Sequence, residues 1–128
     1  MQYAEGGGSV RKHRDMIQAT EAFRKWARAG CPGLEEIKRR GGSSARELLA
    51  CAAAFDVLRR ESHGREIEEA VRAVYMQEPG RPLRRAEVTM RARRFAAEHY
   101  VSERTVYYWL ARARKLWCLL SGRGDDLQ

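Results

Sequence analysis

Long hydrophobic runs, paired cysteines and strand-like alternation are all missing from this 128-residue chain, and each absence removes a class of protein. No stretch approaches the roughly 18 apolar residues of a membrane span, so no membrane partner is expected. The N-terminal MQYAEGGGSVRKHRD has no apolar centre and does not read as a secretory signal. The three cysteines, Cys31, Cys51 and Cys118, are odd in number and far apart. Without a CxxC pair they suit a reduced compartment, and the expected location is the cytosol. His13, His63 and His99 are scattered without metal-ligand spacing, so neither metal nor cofactor is expected. No nucleophile–base pair or paired carboxylates stand out. Glu66, Glu68 and Glu69 read as the acidic first turn of a helix, where the dipole favours them. The expectation is a binding protein and not an enzyme.

What remains is a basic chain with enough apolar content for a core. Hydrophobic residues make up 44% and charged residues 33%, and the formal net charge is +8. That charge is concentrated. Residues 81–123 hold eleven basic residues and three acids, a local excess of +8. Residues 1–80 carry +2, which Asp125 and Asp126 cancel. A positive surface of this kind attracts polyanions and gains from counterion release. The bland alternative is an arginine-rich solvated helix face.

Proline and glycine punctuate a pattern that otherwise reads as helix, and the expected fold class is all-α. Gly6-Gly7-Gly8 lacks the Lys-Ser/Thr of a phosphate-cradling loop and reads as a flexible tail over 1–8. Ser9 is placed to cap a first helix running to about Ala29, with Met16, Ala19, Thr20, Phe23, Trp26 and Ala27 on one face. Cys31-Pro32-Gly33 breaks it. A short helix, Leu34 to Arg40, ends at Gly41-Gly42. Ser44 and Glu47 form a capping-box pattern before a helix bearing Leu48, Leu49, Ala52, Phe55 and Leu58, with Gly64 as a plausible terminator. Another helix, about Arg65 to Gln77, carries Ile67, Ala70, Val71, Val74 and Tyr75. The turn Glu78-Pro79-Gly80-Arg81-Pro82 marks the expected boundary between an N-terminal domain (9–80) and a C-terminal one (81–121), with a second tail over 122–128.

Residues 83–120 carry the most information. Val88, Ala92, Phe95 and His99 share one helix face. A three-residue turn, His99-Tyr100-Val101, leads to Ser102, a natural N-cap, with Val101 and Val106 spaced as a hydrophobic staple. In the helix from Glu103, the residues Val106, Trp109, Leu110, Ala113, Leu116, Trp117 and Leu120 fall within an arc of about 120°. The opposite arc presents Arg104, Tyr107, Tyr108, Ala111 and Lys115, flanked by Arg112 and Arg114. Two helices, a short turn and a basic, aromatic outer face describe a helix-turn-helix whose second helix would enter the major groove. Arg104 suits a bidentate contact to guanine. Tyr107 and Tyr108 suit thymine methyls or phosphate. Glu103 can accept from a cytosine amine, or simply complement the helix dipole. Arg91, Arg93, Arg94, Arg112, Arg114 and Lys115 are placed to hold phosphates and set register.

Ala96, the run Val101-Ser102-Glu103-Arg104-Thr105-Val106-Tyr107 and the pair Trp109-Leu110 resemble the helix-turn-helix of sigma-factor region 4. The wider arrangement LRRAEV…R…FA…VSERTVYYWLARARKLW looks like phage late-gene transcriptional regulators of the ArpU and RinA kind. The resemblance covers about residues 65–120. It implies that Ser102, Glu103, Arg104, Tyr107 and Tyr108 face double-stranded DNA, and that Ala96, Val101, Val106 and Trp109 build the inter-helix core. Where many such motifs have glycine in the turn, this chain has Tyr100. The N-terminal helices would then supply homodimerisation or a contact to RNA polymerase. Two rival expectations stand beside this one: a DNA-packaging recognition subunit, and an adaptor whose basic helix meets an acidic protein surface.

Overall fold

Helix ends fall where proline, glycine and a serine cap interrupt the apolar spacing. The computed structural model describes residues 2–122, with side chains from Arg14 onward, and among these every regular element is helical. The elements are α1 (Gln2–Arg28), α2 (Leu34–Arg40), α3 (Ala45–Leu58), α4 (Gly64–Val74), α5 (Arg85–Glu98) and α6 (Glu103–Leu120). The all-α expectation holds. No helix among the described residues is long and apolar enough to cross a membrane.

Several local expectations change. Helix α1 already runs from Gln2, through the three glycines, so Ser9 lies inside it and does not mark its start. Once the buried half of a helix is nucleated, each further residue adds a hydrogen bond, and glycine weakens propagation without forbidding it. The expected tail over 122–128 lies, apart from Gly122, outside the described residues. Ser44 makes no side-chain cap bond. Glu47 instead faces Lys25 at 3.3 Å, across from α1. Gly64 opens α4 and does not close α3. A Cβ there would sit 1.5 Å from the Leu58 carbonyl oxygen, so only glycine lets the α4 start abut the α3 end. The preceding His63 takes the left-handed conformation, φ 62°.

One continuous core joins all six helices. Phe55 of α3 is its hub, tilted against Phe23 with ring centres 5.8 Å apart and edge-on to Trp26 at 4.8 Å. Trp26 donates its indole N–H to the Pro32 carbonyl at 2.9 Å, and Trp117 donates to the Glu47 carbonyl at 3.2 Å. Each ring is thus buried without stranding its polar edge. Helix α6 packs on α1, α3 and α4 as well as on α5. Burying side chains such as Val106, Leu110 and Trp117 contributes about 1.5–3 kcal/mol apiece.

The segment between α4 and α5, expected as a domain boundary, is gripped from both sides. Arg24 of α1 is only 2% exposed. It donates to the carbonyls of Tyr75 (2.6 Å), Gln77 (3.3 Å) and Glu78 (2.9 Å), and closely to that of Arg81. Arg28 reaches the Pro79 carbonyl at 2.7 Å. From α5, Arg91 donates to Val74 (3.1 Å) and Gln77 (3.4 Å). Carbonyls at a helix C-terminus lack intrahelical partners and carry the negative end of the dipole, so two guanidinium groups complete α4. The turn lies within one core and does not separate two.

Candidate nucleic-acid interface

Ser102 fixes where α6 begins. Its backbone is extended, and its Oγ accepts from the Thr105 amide at 3.0 Å. Behind it Val101 packs on the core and Val106 is fully buried, the two residues expected to staple the entry. Tyr100 supplies the left-handed turn residue, φ 56°, with its side chain 95% exposed. A side chain that leaves the turn meets no neighbour, so tyrosine replaces glycine at a cost of about 1–2 kcal/mol. Trp109 is the wedge. Its ring is edge-on to Phe95 of α5 at 6.5 Å and stacked on His63, from the turn between α3 and α4, at 6.2 Å.

This packing turns one face of α6 outward. Ser102, Glu103, Arg104, Tyr107, Tyr108 and Lys115 are exposed, Ala111 is half-buried, and Val106, Leu110, Ala113, Leu116 and Trp117 are buried. Tyr108 is 75% exposed. Arg104 forms no ion pair among the described residues. Towards the C-terminus the face closes. Cys118 projects to the outward side but is buried near α1, its thiol 4.0 Å from the Asp15 carbonyl. Leu120, expected in the core arc, is exposed together with Leu119.

The expected phosphate-contacting set divides in two. Arg93, Arg94 and Lys115 are exposed, although Arg93 meets Glu103 at 3.2 Å. Arg91 must be withdrawn. It is buried, bonded to the α4 carbonyls and 3.3 Å from the Glu78 carboxylate. Its position on α5 flanks the Ala92–Phe95 face, where the free carbonyls of α4 await a donor. Arg112 and Arg114 are corrected in part: both are half-buried and turned to protein partners. Arg112 grips Glu61, from the turn after α3, with a Nε–Oε1 distance of 3.2 Å and a second, closer contact. That pairing holds the Glu61 carboxyl below its usual range and raises the guanidinium. Arg114 donates to the hydroxyl of buried Tyr75.

At about 100° per residue, Glu103 and Arg112 stand about 180° apart on α6. They mark the two edges of the outward face, one tied to α5 through Arg93 and the other to the α3–α4 turn through Glu61. Glu61, Ser62 and His63 line a cleft with Thr105, Tyr108, Trp109 and Arg112. Sequence reasoning missed this neighbourhood. Glu61 and Arg112 are 51 positions apart, and nothing local to either announces the other. Among the described residues no group of three or more potential ligands comes together that could hold a metal. The thiol of Cys51 is buried, which pushes its pKa well up. Compared with protein-family models, curated proteins and solved structures, the chain matches none.

Proposed function

We propose that this protein is a sequence-specific double-stranded DNA-binding transcriptional regulator, phage or prophage encoded, that reads the major groove with α6. One observation carries the reading. A serine-capped helix, anchored in the core along one side, holds Arg104, Tyr107 and Tyr108 exposed on the other. A rigid helix with an unpaired arginine in its first turn suits base-edge recognition, where a bidentate arginine–guanine contact discriminates by about 1–3 kcal/mol. Arg94 and Lys115, exposed and without ion pairs among the described residues, supply positioning contacts to phosphate. On this reading α5 and α6 act as the helix-turn-helix of a regulator similar to the ArpU and RinA kind.

Selection of bound fragments from phage and bacterial genomes tests the proposal, followed by Arg104→Ala on the recovered site. The variant is expected to lose about 1–3 kcal/mol of discrimination at one base pair while keeping its affinity for mixed-sequence duplex. Enrichment of no sequence by the wild type, or an equal loss on all sequences in the variant, would remove the base-reading role.

A further inference from the structure

We infer that the turn between α3 and α4, together with the start of α4, is a second DNA-contacting element, a phosphate clamp formed by Arg60 of the turn and Arg65 of the first turn of α4, on the side of α6 opposite α5. The inference deepens the DNA-binding reading and rests on it. Three observations place this turn beside the outward face of α6. Glu61 is ion-paired with Arg112, the His63 ring stacks on Trp109, and Ser62 and His63 share a cleft with Thr105 and Tyr108. The turn also has a specific backbone geometry. Gly64 cannot carry a side chain beside the Leu58 carbonyl, and His63 holds a left-handed backbone.

Charge in and beside the turn is divided. Arg59 is engaged by Asp56 at 3.2 Å and by Glu68 at 3.0 Å. Arg60 and Arg65 are exposed and form no ion pair among the described residues. Exposed guanidinium groups without ion pairs among the described residues suit phosphate, which they bind in bidentate fashion without base preference. A helix seated in the major groove has a phosphate strand on either side. Helix α5 borders one edge of the outward face of α6, through Arg93 and Glu103, and the α3–α4 turn borders the other, through Glu61 and Arg112. The local excess of charge in residues 81–123 hides this element, because both arginines belong to the nearly neutral first part of the chain.

The test compares the full chain with Arg60→Ala/Arg65→Ala and with a control of equal charge loss on α2, Lys38→Ala/Arg39→Ala. Affinity is measured against salt for two probes, a duplex recovered by genomic selection and a mixed-sequence duplex. Losing two phosphate contacts should lower the log–log salt slope by about 1.8, so that the affinity lost between 50 and 200 mM salt shrinks about twelve-fold. The base preference set by Arg104 should stay, and the control should keep the wild-type slope. An unchanged slope, an equal change in the control, or a loss of base preference would each overturn the clamp. If the slope is unchanged while Arg104-dependent preference persists, only the clamp fails. If the wild type binds neither probe, the DNA-binding reading fails and the clamp with it.

Discussion

Replacing Arg24 by methionine should cost about 3 kcal/mol of folding stability. The guanidinium is almost wholly enclosed, and it meets four main-chain oxygens with no carboxylate among its hydrogen-bond partners. Methionine keeps most of the stem and removes the fork. The Tyr75 carbonyl is the buried acceptor of the set, and leaving it unpaired costs about 1–3 kcal/mol. The other three are partly buried and regain water, so each loses less. Against this stands the desolvation of the guanidinium itself, whose effect is visible in the lowered Arg24 pKa, burial being the largest cause. If desolvation outweighed the bonds, methionine would be neutral or stabilising, as in some buried ion-pair replacements. The dipole of α4 and the number of acceptors argue that the bonds win. With a urea m-value of about 1.5 kcal/mol per M for a domain of this size, the midpoint should fall by about 2 M. Arg24→Lys, with one donor group in place of a fork, should lie between. Arg91 grips the same segment and shares the Gln77 carbonyl, so each single change leaves that carbonyl one donor and Arg24→Met/Arg91→Met should cost more than the sum of the single changes. An unmoved midpoint in Arg24→Met, or strict additivity in the double variant, would refute the clasp.

Acid should unfold the protein partly through Glu87, whose carboxyl is pulled down to about 2 by the Arg81 guanidinium and then by the Arg84 amide. A depressed folded-state pKa contributes stability above the unfolded value near 4.3, and that contribution is lost as pH falls towards 2. Glu87→Gln is therefore expected to be less stable at pH 7 and to show a shallower acid limb, with about one proton fewer taken up on unfolding near pH 3; an unaltered limb in pH-dependent urea titrations would contradict the assignment. Gly64→Ala should destabilise by about 3 kcal/mol, because its Cβ meets main chain that cannot rotate away. Thermal melting should show a fall in Tm of more than about 10 °C, and a wild-type Tm would mean that α4 can start elsewhere.

Helix number and order were legible because the breakers are local. Cys31-Pro32-Gly33, Gly41-Gly42 and the Pro79-Gly80 turn interrupt the backbone wherever the rest of the chain lies. The start and outward face of α6 were legible for the same reason, since a serine cap and a 3.6-residue period need no tertiary knowledge. What could not be read is where a polar group finds its partner across the fold. Ser44 and Glu47 have the spacing of a capping box, yet Lys25 of α1 is within reach of both. Arg91 looks like any other arginine of an excess-positive segment until the open carbonyls of α4 are brought beside it. Arg24 gave no signal at all, being a charged residue that the apolar period places one step from Phe23. The turn expected as a boundary shows the same limit, being held by Arg24 and Arg91 beside a core that all six helices share. Proline and glycine mark a turn, but only the arginines that reach it from α1 and α5 decide whether that turn is a hinge.

On the proposed reading, the two edge pairs constrain how DNA approaches. Glu103 and Glu61 are carboxylates at the margins of the α6 face, each neutralised by an arginine, Arg93 and Arg112 respectively. A phosphate cannot displace either carboxylate without leaving it unpaired beside a polyanion, so the margins themselves are poor phosphate sites. Backbone contacts are displaced outward from them, to Arg94 on α5 and to the α3–α4 turn. That leaves the centre of the face, with Arg104, Tyr107 and Tyr108, opposite the groove floor. Electrostatics then sets lateral register, while the core behind α6, shared with α1, α3 and α4, prevents rotation of the helix about its axis. A turn of about 100° would move a neighbouring residue into the reading position. Fidelity of reading therefore depends on Trp109, Leu110 and Trp117 as much as on the side chains that would touch a base.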